Sequence, residues 1–335
     1  MQRFALLGAG FWASYQLAAW GEIPGATCAV VCDPDREKAE RLAARFGVPR
    51  VAADPEEALR DVDFVDIVTP PATHPELVRR CLAQRLPTVC QKPLAEDPET
   101  AEALVREADD ARVPLLVHEN WRWQIPIRAL KAEVDSGVIG GLFRARLTMV
   151  SGFPVFANQP FLKTLERFLL ADIGVHVLDT ARLLFGEADS VYCVTRKVQA
   201  DIAGEDAATV VTRHGGVTVV TELGYVQNHY ERDRFPETFA FVEGTKGSIE
   251  LAPDFRLAVT TATGTRSRRV PPPRYEWANP DYAVVHSSMV PCLRDLLSGV
   301  TGGPSENTAA QNLKTLRLVF AAYESAANNR VVALV

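Results

Sequence analysis

The chain has 335 residues, with 36 Lys and Arg against 42 Asp and Glu (net charge −6), and 47% hydrophobic against 23% charged residues. That length predicts two domains. The balance excludes both the basic footprint of a general nucleic-acid binder and the apolar-poor, highly charged composition of a disordered chain.

Taken in chain order, the first segment after Arg3 is apolar and runs into a glycine turn. It reads as a first strand rather than as the start of a signal peptide. Short continuous apolar runs at residues 4–7, 28–32, 64–68, 88–90 and 115–117 read as strands buried on both faces of a parallel sheet. Helices alternate with them. Asp54-Pro55-Glu56 and Asp97-Pro98-Glu99 each place an N-cap Asp before Pro at the first helical position, and Asp33-Pro34-Asp35 reads the same way. This alternation predicts a doubly wound α/β domain over residues 1–122. From 123 to 335 the character changes. Helical stretches at 127–136 and 171–185 precede strand candidates at 143–150, 191–198, 207–212, 217–223, 238–242, 248–251 and 257–261. His214-Gly215-Gly216-Val217 marks a hairpin that leaves His214 solvated. Three prolines at 271–273 open a loop running to about 281, and a helix at 309–327 closes the chain, free to pack back on the first domain. The second domain is therefore expected to be α+β, with a large, mostly antiparallel open sheet. No run of about 18 apolar residues predicts a membrane span. Cys28, Cys32, Cys81, Cys90, Cys193 and Cys292 are scattered without a C-x-x-C pair, which points to a reducing, cytoplasmic setting rather than to disulfides or a zinc ribbon.

Several residues can carry chemistry. Gly8-Ala9-Gly10-Phe11-Trp12-Ala13 follows the first strand and opens the first helix. Gly8 permits the tight turn, Gly10 permits approach of a pyrophosphate to the backbone, and Ala13 keeps the helix close to the sheet. Asp33, 20 residues beyond Ala13, sits where a carboxylate can bind a ribose 2′-hydroxyl and repel a 2′-phosphate, so NAD is favoured over NADP; its alternative role is to cap the next helix. Lys92, in Gln91-Lys92-Pro93, ends another strand. There it can stabilise charge developing on a substrate oxygen, or simply face solvent; the following bond can be cis. Asp172 and His176 lie four residues apart on a helix, with Gly174 allowing a ligand close to the helix backbone. They can serve as an acid and a general base, or form an ordinary surface pair, and Asp179 reads as a capping or ion-pairing residue. His118-Glu119-Asn120-Trp121-Arg122-Trp123 suits a polyhydroxylated ligand or a plug at a domain junction. His74, after Thr69-Pro70-Pro71, can be a plain helix cap. There is no H-E-x-x-H pattern and no cysteine cluster, so no metal site is expected.

Together, the glycine turn, Thr69-Pro70-Pro71 with His74, Lys92-Pro93 and Asp172-x-x-x-His176 resemble, in order and over essentially the whole chain, the glucose–fructose oxidoreductase/inositol dehydrogenase (Gfo/Idh/MocA) family. The resemblance implies a Rossmann domain and NAD(P)-dependent oxidation or reduction at a sugar or polyol carbon. It also implies a homodimer or homotetramer formed through the open sheet, with no nucleic-acid or membrane partner. It assigns catalysis to Lys92, Asp172 and His176, and cofactor contacts to Gly8, Gly10, Phe11, Trp12, Asp33, Thr69, Pro70, His74, Gln91 and Lys92. Gln91 departs from the Glu of the family's E-K-P motif. Asn120, Arg122, Asn158, Gln159 and Lys163, with Asp172 and His176, are the candidate sugar contacts. Residues 118–128 and 151–161 are similar to the D-apiose dehydrogenase subgroup, which implies a branched aldopentose oxidised to its lactone. An inositol, polyol or keto-sugar oxidoreductase is the alternative within the family. A catalytically silent NAD-sensing regulator is the alternative outside it, and one for which a proton relay would be superfluous.

Overall fold

Six strands of the N-terminal segment, β1 (Gln2–Leu7), β2 (Ala26–Cys32), β3 (Arg50–Ala52), β4 (Phe64–Ile67), β5 (Thr88–Gln91) and β6 (Leu115–His118), pair in parallel in the order β3-β2-β1-β4-β5-β6. Helices α1 (Phe11–Trp20), α2 (Arg36–Phe46), α3 (Pro55–Ala58), α4 (His74–Ala83) and α5 (Pro98–Ala111) make the crossovers. This is the nucleotide-binding strand order, which reverses between β1 and β4. Burial on both faces explains the unbroken apolar runs: Phe4, Ala5, Leu6, Val30, Val31, Phe64 and Val65 are inaccessible to solvent. The computed structural model describes residues 1–226 and 235–334, the side chain of Asn158 excepted.

The proline-bearing helix starts are as read for two of the three. Asp54 accepts from the Glu56 amide at 2.9 Å and Asp97 from the Thr100 amide at 2.7 Å, each with Pro at the first helical position. The third reading is corrected. The cap of α2 is Asp35, which accepts from the Lys38 amide at 3.2 Å, and this releases Asp33 for another task.

The chain continues through α6 (Ile125–Asp135), β7 (Leu142–Val150), the short α7 (Val155–Asn158), a π-helical turn (Leu170–Gly174) that runs into α8 (Val175–Phe185), and strands β8 (Ser190–Arg196), β9 (Ala207–His214), β10 (Val217–Gly224), β11 (Phe239–Gly244), β12 (Gly247–Ala252), β13 (Arg256–Thr261) and β14 (Gly264–Arg269). Helices α9 (Ala283–Val300) and α10 (Ala309–Asn328) and the two-residue β15 (Val332–Ala333) follow. These strands form a nine-stranded sheet in the order β14-β13-β12-β11-β7-β10-β9-β8-β15. It is antiparallel except at β7 and β10, which run parallel side by side. One face is buried, the other open. On β9 the inward residues are Ala208, Val210, Thr212 and His214. His214 is thus not solvated. The period-2 alternation turns it inward, where its Nδ1 lies 2.7 Å from the Gly186 carbonyl and its Nε2 2.9 Å from Thr212 Oγ1.

Helix α9 went unread in the sequence. Pro291 interrupts its pattern from within, and an interior proline, which lacks an N–H, ordinarily ends a helix. Here Leu293, Leu296, Met289 and Cys292 are all buried, and that burial holds the helix across the defect. By contact, one compact unit comprises Met1–Asn120, Tyr275–Ala278 and His286–Leu316, and the other comprises Trp121–Arg274, Asn279–Val285 and Arg317–Val335. No helix among the described residues is long and apolar enough to cross a membrane.

Candidate active site

The glycine turn is built from the backbone outward. Gly8 has φ +105°, and a Cβ there would fall 2.4 Å from the Val68 carbonyl oxygen at the end of β4, so no other residue fits. Gly10 is the N-cap of α1 and has no side-chain cap. A Cβ at Gly10 would meet nothing within 4 Å, so its face is open to an approaching group. The start of α1, which has no side-chain cap, gives that opening a positive potential suited to a pyrophosphate. Asp33, at the end of β2, accepts from the Ala9 amide at 2.8 Å and from the Asp35 amide at 2.9 Å, which ties the glycine turn to the strand end where a ribose would lie. An opening of about 470 Å³ adjoins this turn, lined by Ala9, Gly10, Phe11, Ser14, Lys38 and Arg41 among others. The turn, the uncapped helix start and Asp33 together fit a dinucleotide such as NAD. Trp12 and Tyr15 pack their rings on His286, with centroids at 5.9 and 3.9 Å, and burial pushes the His286 imidazole down to about 4, so it is neutral.

Two further strand ends of the same sheet carry the next candidates. His74, the first residue of α4, is fully buried. Its Nδ1 lies 2.8 Å from the Pro93 carbonyl and its Nε2 2.9 Å from the Thr69 carbonyl. It thereby staples the loop after β4 to the loop after β5, and burial lowers its proton affinity. Thr69 and Pro70 remain partly open. The Lys92–Pro93 bond is cis. Gln91 pairs with His118 across β5 and β6. Its amide nitrogen donates to Gln16 Oε1 at 2.6 Å and to His118 Nδ1 at 3.2 Å, and its Oε1 accepts the Lys92 N–H at 3.2 Å. Asn120 donates from Nδ2 to Ser288 Oγ at 2.9 Å and is buried.

In the second unit, Asp172 sits in the π turn and His176 in the first turn of α8. The imidazole of His176 stacks on the indole of Trp121, with centroids 4.9 Å apart and planes 15° apart, and Trp121 is fixed in turn by its N–H to Thr238 Oγ1 at 2.9 Å. Tyr225 is held neutral by burial, reinforced by the nearby Asp172 carboxylate. Gly174 does not serve a ligand. A Cβ there would touch Leu170 and Leu223 at 3.2 Å, so its small size lets strand β10 pack against the turn, and that earlier reading is corrected. Arg122 is committed to Asp179 by a two-pronged ion pair at 2.6 and 2.7 Å, buried on both sides. Arg182 joins it and reaches Glu187 at 2.8 Å, so Asp179 is the ion-pairing residue the sequence indicated. Lys163 pairs with Asp201, Gln159 is half-exposed, and the Asn158 side chain lies outside the described residues.

Two groups escaped the sequence reading. Asp66 hides in the apolar run of β4, and its signal was a lone carboxylate in a strand with no solvent face. Glu205 accepts from the Phe168 and Leu170 amides at 3.2 and 3.0 Å and from the Tyr323 hydroxyl at 2.7 Å, and so caps the turn that carries Asp172. Its partners lie far along the chain, and no local pattern marks it.

Residues 2–119 match the family model of the oxidoreductase family with an NAD-binding Rossmann fold (GFO_IDH_MocA), and residues 127–250 match that of the GFO/IDH/MocA C-terminal domain. A D-apiose dehydrogenase of Rhizobium rhizogenes is 40% identical over 98% of this chain and 96% of its own, and one of Paraburkholderia graminis is 38% identical over 98% and 89%. An oxidoreductase of Agrobacterium radiobacter, solved with NAD+, L-tartaric acid and magnesium, superposes with a TM-score of 0.96 at 38% identity, covering 99% of this chain and 98% of that one. With its glycine turn, parallel sheet and open nine-stranded sheet, the chain belongs to the GFO/IDH/MocA family of NAD-binding oxidoreductases.

Proposed function

We propose that the protein is an NAD-dependent dehydrogenase that oxidises D-apiose, a branched aldopentose, to its lactone. The observation that carries this reading is end-to-end similarity to two D-apiose dehydrogenases, which exceeds what a shared fold requires. Gly8, Gly10, Phe11, Trp12 and Asp33 hold the dinucleotide, with Thr69 and Pro70 beside it. His74 acts through the carbonyls it staples rather than by touching the cofactor. When bound, NAD supplies the hydride acceptor. His176 takes the proton of the reacting hydroxyl as general base, its ring plane set by Trp121. Lys92 donates a hydrogen bond to the same oxygen and stabilises its developing charge. Asp172 orients the sugar and the imidazole. Asn120, Gln159, Lys163 and Asn158 are the remaining sugar contacts, while Arg122 braces α8 through Asp179. The six free thiols suit a reducing, cytoplasmic setting. The open sheet face joins subunits into a dimer or tetramer.

The test is purified protein with NAD and a panel of D-apiose, myo-inositol and common pentoses, followed by NADH absorbance. D-apiose should give the highest kcat/KM. A preference for inositol transfers the assignment to that branch of the family, and NAD binding without turnover on any sugar or polyol makes the protein a sensor. His176→Ala and Lys92→Ala should each lower kcat by about 10²–10⁴-fold while leaving NAD affinity nearly unchanged. Near-normal turnover in either variant removes that residue from catalysis.

A further inference from the structure

The polar side chains between α1 and the sheet form a directed row. Asp66, in the middle of β4, is completely buried. Gln16 and Trp20, one turn apart on α1, both donate to it: Gln16 Nε2 lies 2.7 and 2.8 Å from the two carboxylate oxygens, and the Trp20 indole nitrogen lies 2.7 Å from Oδ2. The other end of the Gln16 amide, Oε1, accepts from Gln91 Nε2 at 2.6 Å, and Gln91 Oε1 accepts the Lys92 N–H at 3.2 Å. Every amide in the row therefore points its nitrogen toward Asp66 and its oxygen toward Lys92.

That order is not free to reverse. An ionised carboxylate only accepts, so it draws the amino end of Gln16. The carbonyl end of Gln16 then requires a donor from residue 91. Glutamine supplies one, whereas a glutamate would set oxygen against oxygen in a site where an unmade polar contact is expensive. Glu at position 91 becomes acceptable only if Gln16 turns over, and then position 66 must itself donate. We propose that Asp66 is a positioning residue. Through Gln16 it sets the orientation of the Gln91 side chain and hence of the backbone at Lys92, so that this row accepts one carboxylate, at position 66 or at position 91, but not both and not neither. The departure of Gln91 from the family's Glu then has a partner: the charge sits at the opposite end of the row. The effect on turnover rests on the assignment of Lys92 made above; the row itself does not.

The test is a double-mutant cycle with Asp66→Asn and Gln91→Glu, read by thermal melting of the cofactor-free protein and by kcat/KM. D66N alone leaves no carboxylate and should lower both kcat/KM, by about tenfold, and Tm. Q91E alone leaves two and should lower both kcat/KM by about tenfold and Tm by several degrees, in line with the coupling usual for residues within one hydrogen-bonded network. In the Q91E background D66N should act with opposite sign, raising Tm and returning kcat/KM to within about threefold of the parent. Because members of one hydrogen-bonded network couple whereas independent sites add, additive changes in both Tm and rate overturn the row. Opposite-signed Tm effects with additive rates overturn its reach to Lys92. If Q91E does not fold, a folded and active double variant supports the proposal, and a double variant as defective as Q91E overturns it. Failure of the Lys92 assignment reads differently: Lys92→Ala then keeps its turnover, while the sign reversal in Tm persists and supports the row.

Discussion

Asp66 displays at the scale of one residue what it costs to bury a charge. Burial pushes its carboxyl up to about 6 from an ordinary value of 3.8, against the hydrogen bonds from Trp20 and Gln16 that favour the ion. The other titratable groups facing it are the thiols of Cys28 on β2 and Cys90 on β5. Both are raised by burial, Cys28 to about 12 and Cys90 well above its usual value, so both are neutral. The folded state therefore binds more protons than the unfolded chain between about pH 4 and pH 6. This group's contribution to stability is fully present below pH 4 and is lost as pH rises through 6, by up to about 3 kcal/mol for two pKa units. D66N abolishes that loss. The stability of D66N relative to the parent should rise across pH 4–6 and then level off, and parallel curves would show that Asp66 does not titrate there. The sequence reading absorbed Asp66 into an apolar run because its donors, Gln16 and Trp20, lie 50 and 46 residues away.

At the scale of an element, the decisive piece is the π turn that leads into α8. The spacing of Asp172 and His176 was legible, but the turn between them is wider than α-helical and is anchored from outside. Glu205 and the Tyr323 hydroxyl take the amides of Phe168, Leu170 and Ala171, which a helix start leaves without partners. Leu223 of β10 fills the space that Gly174 leaves open. Burial and the Glu205 carboxylate both keep the Tyr323 hydroxyl protonated, so it can donate. Glu205→Ala orphans the Phe168 and Leu170 amides and should cost about 1–3 kcal/mol. It should also lower kcat more than it raises KM, because it shifts the turn bearing Asp172 and His176. Unchanged melting and turnover would show that Glu205 does not hold the turn. Tyr323→Phe, which removes one hydroxyl and leaves the carboxylate, should have the smaller effect.

For the whole molecule, the nine-stranded sheet poses a question that its edges answer in part. β15 is only two residues long and β14 is exposed along its length, carrying Arg266, Arg268 and Arg269, so neither edge is a good template for strand addition. Arg266 and Arg268 are moreover drawn onto Glu133 of α6. The self-association proposed above is assigned to the broad outer face. It mixes the Arg144–Glu243 ion pair with exposed Phe241 and Val194. Light scattering at micromolar concentration should give a dimer or tetramer, and Phe241→Glu should shift the mass toward the monomer. A monomeric parent protein would rule out this surface as a subunit contact.

By itself the sequence determined whatever rests on local chemistry: the glycine turn, the Asp54 and Asp97 caps and the buried parallel strands. Each of these is written within a few neighbouring residues through backbone freedom, hydrogen-bonding capacity or period. Only the tertiary structure decided which groups were already spoken for. Arg122 belongs to Asp179, His214 to the core, Gly174 to Leu223, and Asp66 to an amide row that ends at Lys92. A buried polar atom must find its partner wherever the fold brings one, and that partner's distance along the chain carries no local signal.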